Sequence, residues 1–201
     1  MTIKHFHEGE LKLQDQTGWR ARIDTMTQHL MRDYMSDQHR EFFEGLEYIF
    51  LGTVDQSGLP HASIVTGQVG FATTPDPKTL VIQTGDRADA RAYNALAIGQ
   101  PVGVLGVDLS NRRRNRMHGR ISDLDAHSIT ITVVQSYGNC PKYISLREIS
   151  ERAIQVPGDA TTRRDGLSDA DTAIIRAADT LEVVLDFRPI CSRFKMDQGF
   201  I

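Results

Sequence analysis

The sequence predicts a mainly β chain with flanking helices, an α+β protein built around a six-stranded closed or split β-barrel. Three observations lead there. Short β-rich segments recur between residues 48 and 133, with turn signals at roughly 8–12-residue spacing. One helical segment interrupts them, and the other helical signals lie toward the two ends. The βαβα alternation of a doubly wound sheet is missing, as is any GxGxxG or GxxxxGK[ST] run, which argues against a Rossmann or P-loop enzyme. A barrel also removes the sheet edges that invite aggregation.

Taken in order, residues 1–23 are polar and mixed and read as an arm. Helical signals dominate from Asp24 to about Glu44: Met26, Leu30 and Tyr34 are spaced by four, and Ser36-Asp37 is a plausible cap for a second short helix. Tyr48 to Val54 is the first strand, Asp55-Gln56-Ser57-Gly58 the turn, and His61 to Thr66 the returning strand of a hairpin. Pro75-Asp76-Pro77 marks a turn before a third strand at Thr79 to Thr84. Asp89 to Ile98 reads as a helix stopped by Gly99. Val102 to Val107 and Asn115 to Ile121 give two more strands. Ser128 to Val133, apolar at every second position, gives the sixth. Asn139-Cys140-Pro141 is expected to open a helix, with proline in its first turn. Residues 155–166 read as a loop, and Ser168-Asp169-Ala170-Asp171 as a capping box leading a helix to about Ala178. Three regions result: an arm with helices at 1–45, the barrel core at 46–150, and a C-terminal helix and tail at 151–201.

At 201 residues the chain can bury a sound core, and 40% hydrophobic with 24% charged residues is ordinary for a globular protein. A net charge of −3 disfavours nucleic acid or a membrane surface as partner, so an anionic ligand must be met by local cations. The first residues lack the apolar stretch of a signal peptide, and no run approaches a membrane span. Two cysteines, Cys140 and Cys191, make no disulfide framework, and seven scattered histidines make no metal motif. The expected compartment is therefore reducing cytoplasm, and no metal is expected.

Three segments carry candidate chemistry. In the first, a strand ends at Thr84-Gly85 and a short helix follows, bearing Arg87 and Arg91 four apart on one face. Such a pair beside free helix amides would hold a phosphate monoester; paired to Asp86 and Asp89, it would be a solvated face. In the second, strand alternation puts Arg112, Arg114 and Arg116 on one side and Arg113 on the other. Solvent, nucleic acid or a phosphate-bearing cofactor could screen that charge, and the acidic balance tells against nucleic acid. In the third, residues 135–144 are small and polar directly after a strong strand, where ligand-facing loops lie. There Cys140 is either a thiol activated by a helix N-terminus and Lys142 or a small buried residue in a turn. His118, on the arginine-rich strand, reads as structural.

These segments, in this order, resemble the FMN-binding split barrel of the pyridoxamine-5'-phosphate-oxidase-like superfamily. Residues 48–65 resemble its opening hairpin, Thr84-Gly85-Asp86-Arg87 to Arg91 its phosphate-binding junction, and Gln100 to Leu105 with Arg112 to Arg120 the next barrel pair. Residues 138–144 and 6–10 resemble an uncharacterised flavin-binding subgroup. The resemblance covers about residues 5–150. It implies a homodimer with one FMN in each of two clefts between subunits, serving an oxidoreductase that acts on a small molecule. Ser63, Ile64, Val65 and Thr66 would line the isoalloxazine. Gln83 and Thr84 would flank the phosphate, with Arg87 and Arg91 clamping it. Arg114, Gln135, Ser136 and Lys142 would complete the cofactor site. A non-catalytic module holding flavin, deazaflavin or haem is the alternative, and an arginine-rich nucleic-acid binder a more distant one. The oxidases' phosphate-binding lysine aligns near Ala92, and their tryptophan-rich C-terminal segment with an Arg-x-His clamp has no counterpart, the one tryptophan being Trp19. The tail from Leu181 departs from the subgroup's pattern. These departures argue against pyridoxamine-phosphate oxidation itself.

Overall fold

A computed structural model describes residues 6, 8–55, 58–85, 96–142, 144–148 and 166–178. Three helices, α1 (Glu8–Thr17), α2 (Arg20–Leu30) and α3 (Asp37–Glu44), precede seven strands: β1 (Tyr48–Val54), β2 (Pro60–Thr66), β3 (Ala72–Asp76), β4 (Thr79–Gln83), β5 (Pro101–Asp108), β6 (Arg113–Leu124) and β7 (Ser128–Gly138). A further helix, α4, spans Asp169–Ala177. The strands form one antiparallel sheet in the order β2-β1-β5-β6-β7-β4-β3. One face of every strand feeds a single core: Ile49 and Leu51, Val65, Ala72, Leu80 and Ile82, Val102 and Val104, Met117 and Ile121, and Ile129, Ile131 and Val133. A sheet whose strands all contribute to one core must curl around it, which is the mainly β architecture the alternation predicts.

Local chemistry explains several joints. In the β1–β2 turn, the Asp55 carboxylate accepts from the Leu59 amide at 2.9 Å and Gly58 takes φ +89°, which favours glycine. Helix α3 buries Phe42 and Phe43 against the barrel, with Leu46 just beyond it. Gly106 makes that seat possible. A Cβ there would stand 2.6 Å from the Phe42 ring and 2.7 Å from Leu46. The far end of α3 is tied to β3 by Glu44, whose carboxylate accepts from the Thr74 amide and hydroxyl. Ser168 and Asp171 form the expected capping box at the start of α4.

The structure corrects four expectations. Among the described residues there are seven strands, not six. Pro75 lies inside β3 and not in a turn, and the register there is irregular between Thr73 and Asp76. Proline lacks a ladder donor and is tolerated on an outermost strand, as β3 is. Pro60, likewise, begins the other outermost strand, β2. Second, the arm is helical from Glu8, and α2 starts at Arg20. These helices bury polar residues, Gln14 and Thr27, so no apolar stripe announces them. Third, Ser36 holds the N-cap position of α3, but its side chain makes no capping bond. Fourth, no helix follows Pro141 among the described residues to 148. The Asn139 amide donates to the Arg114 carbonyl and the Arg147 amide to that of Leu109, bonds that hold this segment along the strands.

The helix expected at 89–98 and the loop at 155–166 lie largely outside the described residues, and residues 96–98 are not helical. No helix among the described residues is long and apolar enough to cross a membrane.

Candidate cofactor site

Strand alternation divides the predicted site residues between the two faces of the sheet. On β2, Ser63 and Val65 lie opposite Leu51 and Ile49 on the core side, and Val65 is buried. Ile64 and Thr66 lie opposite Phe50 and Tyr48 on the outer side, where Ile64 is 50% exposed. Gln83 ends β4 opposite Ser128, with an exposed side chain. Thr84 follows, 3% exposed, and its amide donates to the His127 carbonyl at 2.7 Å. That carbonyl sits in the β6–β7 turn, which Asp125 organises by accepting from the His127 and Ser128 amides and the Ser128 hydroxyl. The Ser128 hydroxyl bond, foremost, holds the Asp125 carboxyl below its usual range. Gly85 then takes φ +53° and turns the chain away. Arg87 and Arg91 lie outside the described residues.

At the opposite end of the long strands Arg113, Arg114 and Arg116 alternate between the faces as expected, whereas Arg112 stands outside the strand. Arg113 turns toward α3, its guanidinium 4.9 Å from the Phe42 ring centroid and donating to the Gln38 carbonyl. Arg114 and Arg116 share the outer face with His118, and Arg114 donates to the Cys140 carbonyl at 3.2 Å. Arg112 precedes β6 at φ +61° and is exposed. Cys140 is exposed too, which removes the reading of it as a small buried residue. Lys142 is exposed beyond β7.

A β-bulge then precedes Gln135 and Ser136. His118 pairs with Gln135 but Gly119 pairs with Val133, which leaves Val134 as an extra residue in β7. Past that point the faces exchange. Ser136 points inward, fully buried, with its hydroxyl 2.8 Å from Nδ1 of His39 and its backbone bridged to Arg32 in both directions. Burial, with Arg32 and Arg113 nearby, holds the His39 imidazole below its ordinary pKa. Gln135 and Tyr137 point outward with His118 and Arg116. There His118 Nε2 lies 2.8 Å from the Tyr137 hydroxyl, with the two rings stacked at 5.7 Å. Simple alternation from Ile129 would place Tyr137 in the core, so one inserted residue hides this pair from the sequence.

The outer face of β6–β7 therefore gathers Arg114, Gln135, His118, Tyr137 and Arg116. Gln83 and Thr84 are not among them. Gln83 faces Ser128, seven residues before Gln135 on β7, or roughly 23 Å along the strand.

Residues 35–170, well over half of the chain, match the family model described as pyridoxamine 5'-phosphate oxidase. The chain belongs to this family. No curated protein matches it. Among solved structures it is similar to HupZ from Group A Streptococcus, at 14% identity and TM-score 0.39, covering 52% of this chain and 94% of that one. It is also similar to an FMN-binding protein from Syntrophomonas wolfei, at 9% identity and TM-score 0.41, covering 61% and 95%. A FAD and heme binding protein from Mycobacterium smegmatis gives 10% identity and TM-score 0.34, covering 72% and 97%. All three scores fall below 0.5, too low for these likenesses to carry a functional argument.

One observation tests whether a member of the pyridoxamine 5'-phosphate oxidase family with these residues fits a phosphate-bearing flavin. The Thr84 hydroxyl oxygen is buried and has no hydrogen-bond partner. An unmade hydrogen bond in a buried hydroxyl costs about 1–3 kcal/mol, so the position is better suited to a bound polar group than to an empty fold. It stands at the strand end where the resemblance places the cofactor phosphate. Of the described residues at this end, Thr84 fits the group.

Proposed function

We propose that this protein binds FMN between two copies of the chain and works as an FMN-dependent oxidoreductase on a small molecule. The observation that carries the reading is the Thr84 hydroxyl, held by the His127 carbonyl's grip on its own amide and still lacking a partner. A phosphate oxygen supplies one. Arg87 and Arg91, which follow in sequence, supply the positive charge that a chain of net charge −3 does not offer globally.

The split between the two ends of the sheet supports the second copy. Residues expected around one cofactor lie roughly 23 Å apart along β7 in a single chain. A partner copy would bring its own Arg114 and Gln135 to the first copy's strand end and so complete the set. Ile64 and Thr66, on the outer side of β2, would lie in that contact.

When bound, FMN supplies hydride and single-electron chemistry, and the protein's part is to hold and orient it. Thr84 and the two arginines anchor the phosphate. Arg114 brings positive charge and Gln135 an amide to the ring end.

The test is the double variant Arg87→Ala/Arg91→Ala, read by the visible absorbance of freshly purified protein. Two charged hydrogen bonds at about 1.5–3 kcal/mol each predict that the flavin is lost on gel filtration. Undiminished occupancy in a folded double variant would remove the phosphate site. Reduction of the bound flavin by a nicotinamide donor, with turnover, separates an oxidoreductase from a storage module.

A further inference from the structure

We propose that Tyr137 donates the proton, and His118 positions and resupplies it, when an α,β-unsaturated carbonyl compound is reduced on the outer face of β6 and β7. The proposal rests on the flavin-binding function and deepens it by naming the substrate class.

Four observations meet at this place. The Tyr137 hydroxyl and His118 Nε2 are 2.8 Å apart, within good hydrogen-bond range. Their rings stack at an interplanar angle of 26°, which fixes the phenol's direction. Tyr137 is only 7% exposed, so bulk water does not compete freely for its proton. Its cross-strand neighbours are the relevant ones: Arg116 lies directly opposite Tyr137, and Gln135, expected at the cofactor, directly opposite His118. The bulge at Val134 is what turns both β7 side chains to this face. Beside the imidazole the surface is low, because Gly103 lies opposite His118 and a Cβ there would stand 3.7 Å from Nδ1.

The chemistry asks for these groups. A conjugated carbonyl compound that accepts hydride at its β-carbon forms a new C–H bond there. The C=C pair shifts toward the α-carbon and the carbonyl oxygen takes negative charge. The Arg116 guanidinium, on the same face, stabilises that oxyanion. The Tyr137 O–H bond breaks and its proton forms the α C–H bond as the enolate electrons return. His118 takes a proton from water at Nδ1 as it passes its Nε2 proton to the phenolate, so the ring ends neutral and the phenol is restored. The substrate gains two electrons and two hydrogens, and the reduced flavin gives up the hydride. An enolate carbon is far more basic than a phenolate, so the proton passes to it readily, and the imidazole N–H stabilises the phenolate left behind.

The experiment uses the full-length protein with its flavin, photoreduced without oxygen and mixed with cyclohexenone or with ferricyanide. Cyclohexenone reoxidation needs the proton, and ferricyanide reoxidation does not. Tyr137→Phe is expected to keep its flavin, to slow the cyclohexenone reaction roughly 100-fold or more, and to leave the ferricyanide reaction unchanged. His118→Ala is expected to slow the first reaction and to recover with added imidazole, which a merely structural role would not show. A Tyr137→Phe protein reoxidised by cyclohexenone at the parental rate overturns the proposal, as does a reduced parent that cyclohexenone does not oxidise. A parent that carries no flavin overturns the function reading instead. The pair is then reached without cofactor, by following the His118 ring proton by NMR across pH in the flavin-free protein. Tyr137→Phe is expected to move that midpoint, and an unmoved midpoint overturns the pairing.

Discussion

Thr84 and His39 are two buried polar residues with opposite fates. The hydroxyl of Thr84 has no partner, whereas His39 spends its Nδ1 on Ser136. Thr84→Val keeps the shape and removes the orphaned oxygen. It should raise the thermal stability of flavin-free protein by about 1 kcal/mol while weakening flavin binding by a similar amount. Melting curves with and without flavin, moving in opposite directions, are the expected result; parallel shifts would place the phosphate elsewhere. His39 makes a pH prediction. Its folded pKa lies below the ordinary value of about 6.5 because burial, then Arg32 and Arg113, oppose the charged form. The unfolded chain therefore binds this proton first as pH falls. The His39 contribution is complete above about pH 6.5 and is lost progressively below it. Denaturant titrations should show stability declining on that acid side, with the decline reduced in His39→Gln.

Among the elements, α3 depends on a missing side chain. Gly106→Ala drives a methyl to within 2.6 Å of the Phe42 ring and should cost about 1–3 kcal/mol, as overpacked cores do; calorimetry checks it. This scale also shows what the sequence can disclose. β1, β2, β4 and β5 are legible as short β-rich runs set off by turn residues, and the first half of β7 by apolar residues at every second position. So is α4, because its Ser168–Asp171 cap is local chemistry. β3 is obscured by Pro75, and α1 and α2 by polar contact faces. The bulge in β7 exists only as a pairing offset against β6, a long-range fact that no local window contains. Alternation alone would send Gln135 into the core and Ser136 outward; the bulge reverses the two, and it also sets Tyr137 beside His118, which reads as structural in the sequence. The arginine alternation, by contrast, is visible directly, and Arg113 and Arg114 diverge as their parity requires.

For the whole molecule, the prediction concerns assembly. Ile64, 50% exposed on the outer side of β2, lies in the proposed contact between copies. Ile64→Glu places a charge in that contact, which would stay buried and unpaired. Sedimentation should show the pair becoming monomer, with flavin lost although circular dichroism is unchanged. A monomeric variant that keeps its flavin would mean that one chain suffices. The prolines of β2 and β3 bear on how such a pair ends. Pro60 and Pro75 stand in the two outermost strands, and neither offers an N–H to an incoming strand. Sideways growth into fibrils or continuous ribbons is thereby discouraged at both borders. Copies of this chain that pair as proposed would do so broadside, and a self-complementary broadside contact is used up once two of them have met.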